Sequence, residues 1–225
     1  MIDDEAAEPY RLTAAVEFSY DHRAKLLNGT DELPSRGQFD IETLTFDLEY
    51  RLPAQLAARL RVPVYWKRFS EVDIPDLTLN GLGDVELSAS YDVVRSTRWI
   101  SIVGIGLALP TGDTSAQPIA GSAVPTPLQL GTGTVDPLFL VFGAHRPVRD
   151  IDVHASATGR VVWYANGYRY QAASVYTGAV GSEYRAWAGR IAPAVDLELA
   201  HTTHTAVQGI DVPNTGRDEI GRAHV

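Results

Sequence analysis

The residue types that could do chemistry in this chain recur every second position. Asp47 and Glu49, and again Asp84 and Glu86, stand two apart, which on an extended chain puts both carboxylates on one face about 7 Å apart. Such a pair could divide the acid and base roles of glycoside hydrolysis, or it could serve only as fixed negative charge. Arg59, Arg61 and Lys67 form a basic row in the same phase, and Asp92, Asp152, His154 and Arg160 continue the pattern. Opposed rows of this kind either set a field across an aqueous passage or pair across neighbouring strands. His201 and His204 would converge on a metal only on a helix, and on a strand they point to opposite faces. Gly104-Ile105-Gly106 lacks the helix that a dinucleotide fingerprint requires, and no serine sits in a nucleophile-elbow context. The expectation is a protein that is not an enzyme, with no catalytic residue, cofactor or metal.

Strands must carry these rows. Residues 10–21 set Leu12, Ala14, Val16, Phe18 and Tyr20 against Arg11, Thr13, Glu17 and Ser19, a period of two that a helix would scramble. The same alternation marks strands over about 39–52, 56–69, 81–92, 99–109, 136–146, 151–164, part of 170–185, and 190–201, about nine in all. Pro63 cannot donate to a ladder and predicts a bulge. Residues 22–38 and 70–80 read as loops, and Ala186-Trp187-Ala188-Gly189 as a reversal. The segment 138–142 is apolar on both faces, which requires something apolar on its inner side.

Composition narrows the class. A chain of 225 residues that is 45% hydrophobic suits one large β domain. A net charge of -9 disfavours nucleic acid as a partner. The absence of cysteine removes disulfides, thiolate metal sites and thiol nucleophiles. No apolar run approaches the roughly 20 residues of a membrane helix, but closed barrels cross bilayers with strands of about 10 residues that hide their hydrophobicity by alternation.

Loop lengths between these strands read long, short, long, short, long, short, medium, short, as expected of barrels with tight turns on one side of a membrane and longer loops on the other. Tyr10, Tyr20, Tyr50, Trp66, Trp99 and Trp163 fall near strand ends, where interfacial girdles or ordinary edge packing would place them. In a barrel the polar set Asp47, Glu49, Arg59, Arg61, Lys67, Asp84, Glu86, Asp92, Asp152, His154 and Arg160 lines the lumen.

Three signatures stand in order around one hairpin: Gly81-Leu82-Gly83-Asp84 opening a strand, Pro110-Thr111-Gly112-Asp113 closing the next, and Gly131-Thr132-Gly133-Thr134-Val135-Asp136-Pro137 opening the third. Together they resemble the outer-membrane β-barrels of the MetA-pathway-of-phenol-degradation, or transporter-like, family, most strongly over residues 81–146. The resemblance implies a barrel of about 12 strands that passes small hydrophobic or aromatic compounds, with no catalytic residues to carry over.

The expected architecture is therefore all-β, an antiparallel up-and-down transmembrane barrel occupying residues 10–204, after a polar segment 1–9 and before a loop 205–218. The N-terminus lacks the basic and apolar regions of an export signal. The last seven residues match a translated sequencing adapter, so 219–225 is expected to be non-native and the barrel C-terminally incomplete. The expected partners are outer-membrane lipid and a small-molecule solute, in the bacterial outer membrane; nothing in the sequence sets the oligomeric state. The alternatives are a soluble or periplasmic β-sandwich or binding barrel, and a β-rich hydrolase using a carboxylate pair.

Overall fold

The computed structural model describes residues 10–23, 27–28, 31–32, 38–71, 74–114, 129–184, 193–211 and 217–220. Eleven strands form one antiparallel sheet: β1 (Leu12–Arg23), β2 (Gln38–Arg51), β3 (Leu56–Glu71), β4 (Ile74–Leu82), β5 (Val85–Arg95), β6 (Trp99–Leu109), β7 (Asp136–Val148), β8 (Ile151–Arg160), β9 (Val175–Tyr184), β10 (Ala194–Thr202) and β11 (Arg217–Ile220). Each hydrogen-bonds to its neighbour in the chain, except that β4 and β5 lie end to end along β3. With β4 and β5 counted as one broken strand, and the short β11 apart, the sheet is an up-and-down half-barrel of nine strands, all-β as the alternation predicts. No helix among the described residues is long and apolar enough to cross a membrane. The reversal expected at 186–189, the segment 1–9 and residues 221–225 lie outside the described residues.

The stretch 70–80, read as a loop from its Pro75, Asp76 and Asn80, is largely strand. Residues 74–82 pair with Val64–Glu71 of β3, and the partner ladder overrides the weak local propensity. The hairpin β3–β4 is therefore tall, with pairing that runs as far as Glu71 and Ile74. A second correction concerns residues 151–164: β8 stops at Arg160, and Trp163 and Tyr164 belong to the following loop.

Pro63 has the effect its chemistry demands. Arg61 pairs with Glu86 and Val64 with Leu82, so Val62 and Pro63 face Gly83, Asp84 and Val85, one residue more on the second side. That is a bulge. The amide of Gly83 still donates to the Pro63 carbonyl at 2.8 Å. Below the bulge the even residues Glu86, Ser88, Ser90 and Asp92 face one side of the sheet; above it the odd residues Leu77 and Leu79 do. Gly83 and Asp84 are both buried at the changeover.

The hand of the curvature follows from one contact. Arg160 on β8 reaches Asp84 at the head of β5, although β6 and β7 lie between them. In a flat sheet those backbones would stand about 14 Å apart, so the face that carries both residues curls inward. Register places ten of the eleven polar residues named above on this concave face, and the contact with Arg160 puts Asp84 there too. The convex face carries Leu48, Leu87, Ile105, Val141, Val180 and Leu197, all exposed, with Ile105 at 75% and Phe18 of the edge strand at 64%. The other sheets among the described residues are built from two-residue strands at the loop end, and none covers that face.

Two apolar clusters sit on the concave side. Phe39 and Leu77 pack with Ile41, Phe69 and Leu79 inside the tall hairpins, and Ile100 and Ala144 pack with Ile102 and Phe142 toward the tight-turn end. The second cluster answers the two-sided segment 138–142: its inner residues Leu138, Leu140 and Phe142 lie beside Gly106, Gly104 and Ile102 of β6. Because Phe39 is nearly fully buried against Leu77, Phe39→Ala is expected to cost about 3 kcal/mol. The denaturation midpoint of the variant measures it.

Candidate functional site

Two features of the concave face are built well enough to carry function: a polar knot at the loop end and a wall of charge and apolar strips below it. The knot forms where the three glycine-rich signatures meet. The Thr111 hydroxyl donates to the Gly83 carbonyl at 2.7 Å and accepts from the Val85 amide at 2.9 Å, which ties the end of β6 to the bulge. The Gly112 amide donates to Asp84 Oδ1 at 3.2 Å, and the Thr132 amide to Asp84 Oδ2 at 2.8 Å. Thr134 Oγ1 donates to Asp136 Oδ1 at 2.5 Å. Arg160 closes the assembly: Nη2 donates to Asp84 Oδ2 at 2.5 Å and to Asp136 Oδ2 at 2.6 Å, and Nε to Asp136 Oδ2 at 2.9 Å.

Both carboxylates are almost wholly buried, at 2% and 0% side-chain exposure. Two carboxylates against one guanidinium leave one negative charge over, and the backbone amides and hydroxyls that converge there are what such a burial requires. Thr132 Oγ1 lies 2.9 Å from Asp84 Oδ2 and 2.8 Å from Asp136 Oδ2. Its single proton serves one carboxylate at a time, while its lone pairs accept from Arg160 at 3.0 Å.

The glycines are there for clearance. A Cβ on Gly112 would stand 2.6 Å from the Gly131 amide nitrogen, and one on Gly131 would run into the Asp84 carboxylate. Gly133 has φ +72°, the left-handed conformation, and it packs on Asn166. Asn166 Nδ2 donates to the Thr132 carbonyl at 3.1 Å, while Asn166 Oδ1 accepts from the amides of Tyr168 and Tyr170. Lys67 Nζ donates to the Gln129 carbonyl at 2.5 Å, and Leu130 is buried against Gly81. The segment 129–134 is thus fastened to β3, to β4, to the bulge, to β8 and to the next loop.

Below the knot the charges are paired. Arg59 grips both oxygens of Asp47, and Arg51 contacts Glu49 at 3.2 Å. Arg95 holds Asp92 at 2.6 Å and Arg146 holds Asp152 at 2.8 Å. Arg61 sits more loosely, 3.6 Å from both Asp47 and Glu86 and 3.9 Å from Glu17. His154 reaches Asp196 at 2.8 Å across β9, an approach that a side chain in place of Gly181 would block. Between the charged strands runs the apolar strip of β6 and β7. A recess of about 380 Å³ is bounded by Arg59, Arg61 and Glu86 on one side, Leu138 and Leu140 on the other, and Arg160 above.

Of the residues singled out in the sequence, Asp84, Gly112, Gly131, Gly133, Asp136 and Arg160 meet in the knot, with Gly81, Gly83, Thr111 and Asp113 beside it, while Pro110 and Pro137 flank the strands it joins. Asp47, Glu49, Arg59, Arg61, Glu86, Asp92, Asp152 and His154 lie along the wall, and Lys67 holds the loop. Thr132 and Thr134 stand in the third signature but carry no role that the sequence assigns, and Asn166 lies outside all three signatures. The Thr-x-Thr-x-Asp spacing of hydroxyls before Asp136 was the available signal, since alternate hydroxyls beside a carboxylate can all reach it. His201 stacks on Tyr176 on the convex face, and no group of three or more potential metal ligands occurs among the described residues.

Tyr170, in the loop sheet beside Asn166, is buried, and loss of water around the phenolate pushes its phenol up to about 12. An unfolded phenol ionises near 10.

The chain is similar in fold to an outer-membrane channel from Pseudomonas putida F1, with a TM-score of 0.61 and 16% identity, over 96% of this chain and 79% of that one. No protein-family model and no curated protein matches it.

Two outcomes test this geometry. Gly112→Ala forces a Cβ onto backbone and is expected to destabilise by about 2 kcal/mol, whereas Gly143→Ala, with nothing within 4 Å of the added carbon, is expected to be near neutral; paired denaturation curves decide. Because the Tyr170 phenol is raised in the folded state, its contribution is full below pH 10 and is lost as pH climbs toward 12. Tyr170→Phe should flatten that alkaline decline in stability.

Proposed function

We propose that this chain forms the wall of a bacterial outer-membrane channel that lets small hydrophobic or aromatic compounds pass down their gradient, without a cofactor. The observation that carries the reading is the exposed convex face. Monomeric soluble proteins seldom expose contiguous apolar patches beyond a few hundred Å², and here most of the large apolar side chains that face outward from β5 to β9 are exposed. A β-sandwich would bury that face under a second sheet.

The limits of the apolar face fit a bilayer. Toward the tight turns it ends at Tyr50, Tyr91, Trp99 and Tyr184, and Trp99 stacks on His145 at 3.8 Å between ring centres. Toward the loops it ends at Tyr20 and Trp66. Beyond them the outward residues become charged, with His22 and Tyr20 on Asp40 and Arg68 on Asp76. Leu56, opposite Tyr91, precedes Trp66 by ten residues on β3. That is about 34 Å along the strand, or about 26 Å across a bilayer at a tilt of about 40°, close to the apolar height of such barrels. The fold of a known outer-membrane channel supports the same reading.

The solute class rests on the apolar strip of Leu138, Leu140, Phe142, Ile100 and Ile102 beside paired charges, and on the resemblance of the three glycine signatures to the MetA-like transporters. The hydrolase reading loses ground because Asp47, Asp84 and Glu86 are each engaged by arginine, so that neither of the two carboxylate pairs stands free.

The cysteine-free chain makes the test direct. Single cysteines at 88 and 90 should react with a charged thiol reagent in outer-membrane vesicles, whereas cysteines at 87, 89 and 105 should react only with a lipid-soluble one. Equal labelling of the two sets by the charged reagent, or recovery of the protein as a soluble species without detergent, would overturn the reading.

A further inference from the structure

The segment from Gln129 to Thr134 has attachments that come from parts of the wall several strands apart. Lys67 on β3 holds the Gln129 carbonyl. Gly81 on β4 receives Leu130, and Asp84 at the bulge receives the Thr132 amide. Arg160, from β8, anchors Thr132 Oγ1 and both carboxylates. Asn166, from the next loop, takes the Thr132 carbonyl. A loop fixed at one point can swing, but one fixed on several walls cannot.

Arg160 is also the only one of the three charged knot residues that faces the recess below. Its side chain is 23% exposed, against 2% for Asp84 and 0% for Asp136, and it is part of the recess lining together with Ser88, Leu138, Leu140 and Thr158. The knot is therefore the ceiling of the recess on the loop side. Neither carboxylate is free to bind a solute, because Thr132, Thr134, Gly112 and Arg160 occupy their oxygens.

Resting on the channel reading, we infer that segment 129–134, bolted by Arg160 to Asp84 and Asp136, is an inward-folded constriction that sets the size of solute able to pass from the loop side into the recess. Arg160 acts as a positioning residue: it holds the constriction in place and does not itself select solutes by charge. Lys67 is the second fastening. It acts through the Gln129 carbonyl rather than through Asp84 or Asp136.

A reporter cysteine at 88, just below the knot, reads the size limit. A small charged methanethiosulfonate and a bulky polyethylene-glycol maleimide are applied from the loop side of intact cells, and the two labelling rates are compared. The parent should react at least 100-fold faster with the small reagent. Arg160→Gln should narrow that gap about tenfold, and Lys67→Met about threefold, with the small-reagent rate little changed. A folded Arg160→Gln variant with an unchanged ratio overturns the inference. If that variant does not assemble, an unchanged ratio in Lys67→Met overturns it instead. Failure of the channel reading looks different, because the small reagent would then label position 88 no faster than position 89 in the parent.

Discussion

The guanidinium of Arg160 is held by two buried carboxylates that arrive from different places in the chain, one from the bulge heading β5 and one from the first residue of β7. A carboxylate buried there without partners would lose its hydration with nothing to replace it. Removing one partner from a buried ion pair typically costs 3–5 kcal/mol, because an uncompensated charge is left behind. The sheet must therefore curl far enough to bring β8 within reach of β5, and the loop between β6 and β7 must fold back far enough to insert Thr132 between them. Curvature and loop placement are one problem with one solution.

That solution depends on small local allowances. Pro63 withholds an amide from the ladder, and the bulge opposite it inverts the phase of the strand, so that Gly83 and Asp84 both turn inward at the level where the knot forms. Gly112 and Gly131 let two backbones approach within a distance that any side chain would forbid, and Gly133 turns the chain through a left-handed residue. Each allowance is weak by itself. The buried ion pairs make them mutually necessary.

Much of this was legible in the sequence, for a physical reason. Alternation is a local property, so the faces occupied by Asp47, Arg59, Arg61, Glu86 and His154 follow from counting in twos. Pro63 announced a bulge because the missing amide is also local. The strand at 74–82 was hidden: Pro75, Asp76 and Asn80 are poor strand formers, and what makes them a strand is a partner whose length could not be known beforehand. The glycine signatures could be seen to bracket a hairpin, but not to touch. Asp84 and Arg160 are separated by 76 positions, and nothing in the neighbourhood of either records the other. Arg160 accordingly looked like any polar residue of its row, and Thr132, Thr134 and Asn166 looked like loop composition.

The contrast between Arg160 and Arg61 separates a part of the molecule that ignores its medium from a part that responds to it. Dissolved ions screen charges that water reaches and hardly affect those it does not. The half-open contacts of Arg61 with Glu17, Asp47 and Glu86 therefore weaken as ionic strength rises, while the guanidinium above them keeps its grip. Brine and fresh water would thus leave the knot alike and the looser contacts along the wall different in strength.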